Sequence, residues 1–145
     1  MTILQAAEQA LVEMRLASDR DCCVYARRVL VHQYGATVID QVPIARWHLY
    51  AGQSAWEPVL AAADAGIGEL VTDPVVGRWH LCQGWRGQPF AAGVTGHTWL
   101  WRAISAERGL QLDSARGRTP RVVGLLEWRE QVTTYRGGIR LAVLR

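Results

Sequence analysis

The spacing of the apolar residues changes once along this chain, near Gly66. Before that point apolar residues recur at helical spacing, as they do over 3–14. After it the chain holds short runs rich in aromatic and β-branched residues, which are typical of strands. Helices that precede strands in this way predict an α+β fold, with N-terminal helices packed on a small antiparallel sheet, and not alternating βαβ units. A length of 145 residues, half of them apolar, predicts one domain spanning 1–145.

Individual elements follow from capping residues and breakers. Thr2 is suited to cap the first helix, Gly35 to end the second, and Ser54 to open a third through the capping box Ser54 to Glu57. The predicted helices cover 2–16, 22–34, 54–65 and 125–133, with an extended stretch over 36–42. The predicted strands cover 78–85, 96–103, 110–113 and 138–144, and the first two of them are expected to be neighbours.

Composition narrows the function classes. The net charge is +3, but all sixteen basic residues are arginines scattered along the chain, and we expect no nucleic-acid partner. Neither a glycine-rich phosphate loop nor an apolar run long enough to cross a membrane is found in the sequence. The first residues lack the pattern of a classical signal peptide, so synthesis in the cytoplasm is expected.

Three cysteines, two of them adjacent, fit neither a disulfide framework nor a zinc site. At least one thiol is therefore expected to be free, and no metal or other cofactor is expected. Cys22 and Cys23 fall in the first turn of the predicted second helix, where unpaired N–H groups and the helix dipole favour a thiolate. A thiolate can attack an amide carbonyl when an imidazole exchanges its proton and a third polar residue orients that imidazole.

His97 is the best candidate for the base, because it follows Gly96 at the start of a predicted strand. Asp113 ends the next predicted strand. If the two strands form a hairpin centred near Glu107-Arg108, His97 and Asp113 lie near one another, since 97 and 113 are close to symmetric about residue 105. The carboxylate can then orient the imidazole. The chain contains no Asn that could take this third role.

The segments Asp21-Cys22-Cys23-Val24-Tyr25 and Gly96-His97-Thr98-Trp99-Leu100 resemble the nucleophile and histidine motifs of the NlpC-type and CHAP-type cell-wall peptidases, in the papain-like superfamily. In that family the nucleophile commonly lies in Asp-Cys-Ser-Gly followed by an aromatic residue. Here Tyr25 holds the aromatic position, but Cys23 and Val24 replace Ser-Gly. The alignment favours Cys22 as the nucleophile and leaves Cys23 as the alternative.

The resemblance implies a Cys22–His97–Asp113 hydrolase that cleaves amide bonds in peptidoglycan stem peptides. Gln83 is then a candidate for lining the cleft or binding an oxyanion, and Trp85 and Trp99 are candidates for substrate contacts. Such enzymes act without a cofactor. The absence of a signal peptide favours a phage-related protein, or an effector exported through a dedicated secretion machine.

Two other classes stay open. The same three residues could serve a transglutaminase-like or deamidase enzyme that acts on protein side chains. Alternatively the chain is a non-catalytic wall-binding or structural module, in which the thiols are buried and tryptophans form the binding face. Cys82, His32, His48 and His80 are expected to have structural roles.

Overall fold

The computed structural model describes residues 1–16, 22–47, 57–87, 96–113 and 121–145. Within these ranges the chain forms six helices and six strands, in the mixed α+β arrangement that the sequence predicts. The helices are α1 (Ile3–Leu16), α2 (Cys22–Tyr34), α3 (Ala36–Ile39), α4 (Ile44–Trp47), α5 (Pro58–Asp64) and α6 (Trp128–Thr134). The strands are β1 (Gly68–Val71), β2 (Trp79–Trp85), β3 (Gly96–Ala103), β4 (Arg108–Asp113), β5 (Arg121–Glu127) and β6 (Gly138–Leu144).

The first helix begins, and the second ends, where their capping residues predict. At the start of α1 the Thr2 Oγ1 accepts a hydrogen bond from the Gln5 backbone N–H, and the Gln5 side chain accepts one from the Thr2 N–H. This reciprocal pair is a capping box. At the end of α2, Gly35 takes a φ of 93°, a left-handed conformation that glycine adopts without a Cβ penalty.

All strand pairs in the described sheet are antiparallel, and the strand order is β1-β6-β2-β3-β4-β5. The predicted pairing of the strands over 78–85 and 96–103 is confirmed, because β2 and β3 pair from Trp79↔Arg102 to Trp85↔Gly96. β6 lies on the other side of β2, with Trp85 opposite Gly138. β2 and β3 are therefore internal strands, and residues on them are supported from both sides.

The two faces of the sheet are covered differently. Leu81, Leu100 and Leu112 point toward α1, α2, α3 and α5 and join the large helix-side cluster of apolar residues. The opposite face carries a smaller set, the aromatic cluster, whose buried members are Cys82, Trp99, Trp101, Ala103, Tyr135 and Leu141. Alternation along β3 places Trp99 and Trp101 on one face and Leu100 on the other.

Four parts of the sequence prediction are wrong. The stretch over 36–42 is not extended, because α3 forms with the Asp40 N–H donating to the Ala36 carbonyl, and Ile39 is buried. Residues 125–127 belong to β5 and not to a helix, because they pair with β4. β1 and α4 were not predicted. β1 forms within a turn-rich connection because β6 pairs with it.

Some predictions concern residues outside the described ranges. These include Asp21, the capping residues Ser54 to Trp56 and His48. In the described part of that region the helix starts at Pro58, and Glu57 is its N-cap residue without a side-chain capping bond. Among the described helices, none has the length and apolar character needed to cross a membrane.

Candidate active site

One end of the sheet collects the candidate residues. β2 ends there at Trp85, β3 begins at Gly96, and β6 begins at Gly138. β4 ends at the same side with Asp113, because it runs antiparallel to β3. Strand pairing fixes the backbone at these termini, and the side chains there lie at the end of the sheet and not in its middle.

His97 and Asp113 form a direct contact at this end. The His97 Nε2 lies 3.1 Å from the Asp113 Oδ2, and the two side chains are only 14% and 13% exposed. An ionised carboxylate can only accept, so the proton of the neutral imidazole lies on Nε2 and the Nδ1 is left to exchange a proton. The predicted proximity of His97 and Asp113 is confirmed.

The hairpin register explains how the contact forms. Leu100 pairs with Leu112, so the hairpin is centred at residue 106, just before the predicted centre near Glu107-Arg108. One further step along the register sets Asp113 opposite Trp99, which makes His97 its diagonal neighbour on the same face. Diagonal neighbours are within reach of an aromatic side chain such as the imidazole.

Gln111 holds the carboxylate from the other side. Its Nε2 donates a hydrogen bond of 3.1 Å to the same Oδ2 of Asp113, and the Gln111 side chain is itself buried. Gln111 lies two residues before Asp113, so both project from the same face of β4. The carboxylate that faces His97 is therefore fixed by two donors, and sequence reasoning had not identified Gln111.

The two adjacent cysteines at the start of α2 differ in their surroundings. Cys23 is buried inside the helix-side cluster. Cys22 is also buried, with 6% of its surface exposed, but it belongs to neither apolar cluster. This difference favours Cys22 over Cys23 as the thiol that faces polar groups.

Electrostatic interactions connect the first turn of α2 with the His97–Asp113 pair. Burial raises the pKa of Tyr25 to about 12, and the nearby Asp113 charge adds to this rise. Burial also raises the pKa of Tyr135, with smaller contributions from Arg86, which lowers it, and from Cys22 and Asp113, which raise it. A charge on Cys22 or Asp113 is thus felt by aromatic hydroxyls at this end of the sheet.

Cys22 and His97 belong to opposite sides of the sheet. α2 packs on the face of Leu100, whereas His97 shares the face of Trp99 by alternation. A contact between the helix terminus and the imidazole would therefore have to form around the strand ends and not across one face. Such an approach is possible only at a strand end, where His97 lies.

Tyr135 is a second site residue that the sequence did not indicate. It follows α6, and its ring lies 4.9 Å from that of Trp99 and 6.4 Å from that of His97, measured between centroids. No motif or period marks it, because it reaches the site through the pairing of β6 with β2. The guanidinium of Arg86 lies 5.9 Å from the centre of the Tyr135 ring.

The three predicted substrate-contact residues are all buried. Gln83 and Trp99 have no exposed surface, and Trp85 is 3% exposed. Trp85 stacks with the Arg140 guanidinium, 5.6 Å from its ring centre, on the face opposite to Trp99. Substrate contact by any of them stays a prediction.

His80 and Cys82 have structural surroundings. The His80 Nε2 accepts a hydrogen bond from the Val75 N–H at 2.8 Å, and its Nδ1 lies 3.2 Å from the Trp101 carbonyl oxygen. Burial lowers the pKa of His80. Burial raises the pKa of the Cys82 thiol well above its ordinary value.

His32 lies 2.6 Å from Glu13 on the helical layer, away from the sheet end. Among the described residues, no three His, Cys, Asp or Glu side chains are grouped so that they could hold a metal ion.

Comparison of the chain with protein-family models, with curated proteins and with solved structures found no match.

Proposed function

We propose that the protein is a papain-like cysteine hydrolase that cleaves amide bonds of peptidoglycan stem peptides. Cys22 is the nucleophile, His97 is the base, and Asp113 orients the imidazole. The observation that carries the proposal is the hydrogen bond between the His97 Nε2 and Asp113, at the sheet end that electrostatically couples to the start of α2. The motifs around Cys22 and His97 support the choice of substrate class.

The reaction needs only these three side chains and water. The Nδ1 of His97 takes the Cys22 proton, and the thiolate attacks the amide carbonyl carbon to form a C–S bond. The C–N bond then breaks, and the imidazolium returns its proton to the leaving amine. Water, deprotonated by His97, attacks the thioester and releases the acid and the thiol. Throughout, Asp113 keeps the proton on Nε2 and stabilises the imidazolium.

The position of Cys22 at the first residue of α2 supports thiolate formation. The first turn of a helix offers unpaired backbone N–H groups and the positive end of the dipole, and both favour the anion. An imidazolium partner lowers the free energy of the thiolate further. α2 has 13 residues and no acidic residue in its first turn that would oppose this effect.

A non-catalytic structural or wall-binding module is the second candidate, and one observation favours it. All three thiols are buried, as are Trp85 and Trp99. Buried thiols are normally inert, because desolvation disfavours the thiolate. The two candidates therefore differ in whether Cys22 becomes reactive in the folded protein.

The decisive experiment measures the iodoacetamide alkylation rate of each cysteine in the folded protein, across about pH 5 to 9, where thiols in proteins titrate. Tandem mass spectrometry, with Cys22→Ala and Cys23→Ala variants, separates the two adjacent residues. For cysteines in general, pairing with an imidazole raises alkylation below about pH 6 by roughly 20-fold over an ordinary thiol, after allowance for the lower nucleophilicity of the thiolate. We expect this for Cys22 alone.

His97→Ala is expected to abolish the excess reactivity, and His32→Ala is the matched control because His32 pairs with Glu13 away from the sheet end. Peptidoglycan digestion, with release of free amino groups, is then measured for the wild type and for Cys22→Ala. If all three thiols resist alkylation, or if Cys22 reacts equally in the His97→Ala variant, the hydrolase proposal is wrong and the structural module replaces it.

A further inference from the structure

Tyr135 is held unusually close to the strand that neighbours His97. Gly84 pairs with His97 across β2 and β3, and the Tyr135 ring lies directly over Gly84. A Cβ added at Gly84 would lie 2.5 Å from Tyr135 Cγ and 2.9 Å from Tyr135 Cβ, far inside van der Waals contact. The absence of a side chain at Gly84 is therefore what lets the ring lie against the sheet beside the imidazole.

The ring is part of a three-ring stack that includes His97. The planes of His97 and Tyr135 differ by 15°, those of His97 and Trp99 by 14°, and those of Trp99 and Tyr135 by 21°. Trp99 is completely buried, and Tyr135 is 6% exposed. Rotation of the imidazole out of this common orientation would lose the stacking and the hydrogen bond to Asp113 together.

The backbone of Tyr135 is fixed at both sides. Its N–H donates to the Gln131 carbonyl of α6, and its own carbonyl accepts from the Gly138 N–H at the start of β6. Each of these bonds measures 3.0 Å. Because β6 pairs with β2, the position of Tyr135 relative to His97 is set by the sheet itself.

We propose that Tyr135 is a positioning residue for His97, and that Gly84 is required for it. The flat ring holds the imidazole in the plane that keeps Nε2 on Asp113 and directs Nδ1 away from it, toward the nucleophile. The catalytic consequence rests on the proposed function. The positioning of the imidazole does not, so the two can be tested separately.

The test uses nitrogen-15 NMR of the histidine side chains, which reports the tautomer, together with the Cys22 alkylation rate. A His97→Gln variant assigns the signals. The wild type and Tyr135→Phe, which retains the ring, are expected to show His97 as one neutral tautomer with the proton on Nε2. Tyr135→Leu and Gly84→Ala are expected to show a mixture of tautomers, and Cys22 alkylation at about pH 6 is expected to fall by roughly tenfold.

Trp128→Leu is the control for general destabilisation. Trp128 packs on Trp101 in the same aromatic cluster, at a centroid distance of 5.2 Å, and makes no ring contact with His97. We expect this variant to lower the melting temperature without changing the His97 tautomer. If Tyr135 had only a structural role, Tyr135→Leu would likewise lower the melting temperature without changing the His97 tautomer.

The outcomes separate the two proposals. If Tyr135→Leu and Gly84→Ala keep a single Nε2–H tautomer and the wild-type alkylation rate, the positioning role is wrong. If the tautomer changes in these variants while His97→Ala leaves Cys22 reactivity unchanged, the positioning role holds and the hydrolase proposal fails.

Discussion

Replacement of Gly84 by alanine is the perturbation whose energetic effect the structure defines best. The new Cβ would lie 2.5 Å from Cγ and 2.9 Å from Cβ and Cδ1 of Tyr135. β2 is an internal strand between β3 and β6, so neither the backbone nor the ring can move freely. Overpacking of this kind costs about 1 to 3 kcal/mol of unfolding free energy. For a domain of this length that corresponds to a decrease in melting temperature of roughly 3 to 10 °C.

Tyr135→Ala should remove most of this cost, because the contacts with Cγ at 2.5 Å and with Cδ1 at 2.9 Å are lost and only the contact with the residue 135 Cβ at 2.9 Å remains. In that background Gly84→Ala should change stability by about 0 to 0.5 kcal/mol in the favourable direction, since alanine loses less entropy than glycine in a strand. The double-mutant cycle should therefore give a coupling free energy of about 1 to 3 kcal/mol between positions 84 and 135.

Urea unfolding, monitored by tryptophan fluorescence and circular dichroism, measures the unfolding free energy of the wild type and of the three variants of the cycle. Gly124→Ala is the matched control, because a Cβ at this β5 position meets nothing within 4 Å, and we expect it to be neutral or slightly stabilising. If Gly84→Ala lowers the unfolding free energy as much in the Tyr135→Ala background as in the wild type, the Tyr135 ring does not pack closely against β2. The positioning argument for His97 would then lose its basis.

Three further outcomes follow from the same structure. Gly109→Ala should lower the unfolding free energy by about 3 kcal/mol in urea titration, because its Cβ would overlap the buried Trp101 indole; normal stability would contradict that packing. Burial lowers the pKa of His80 in the folded protein, so protonation of His80 favours the unfolded state. The stability that neutral His80 contributes is therefore fully present above its unfolded pKa near 6.5, and it is lost as the pH falls through the folded pKa. His80→Gln should flatten this part of the stability–pH curve, and an unchanged slope would contradict the assignment. Asp113→Asn should reduce Cys22 alkylation at about pH 6 by roughly tenfold if the carboxylate orients the base, and wild-type rates would remove Asp113 from the site.

The sequence by itself determined the helices and strands whose signals lie within their own segments. The helical period with its caps predicts α1 and α2, and the aromatic and β-branched runs predict β3 over 96–103 and β6 over 138–144 with the bounds observed. The contact between His97 and Asp113 also follows from sequence, because in a short hairpin the position of the turn determines which residues of the two strands lie opposite one another.

Elements stabilised by distant partners escaped the sequence prediction. β1 is a four-residue edge strand in a turn-rich segment and exists because β6 pairs with it. The end of β5, with two leucines and a glutamate, has helical propensity, but β4 pairs with it and overrides that preference. Short segments contain too little periodicity to outweigh such pairing.

Tertiary structure also decided the composition of the site. Gln111 was read as part of a strand, yet its amide fixes the Asp113 carboxylate. Tyr135 lies thirty-eight residues beyond His97 in the chain and reaches it only because β6 returns to pair with β2, over a glycine that leaves room for the ring. Local patterns determine which residues can form a helix or a hairpin, whereas packing between strands far apart in sequence determines which side chains surround an imidazole.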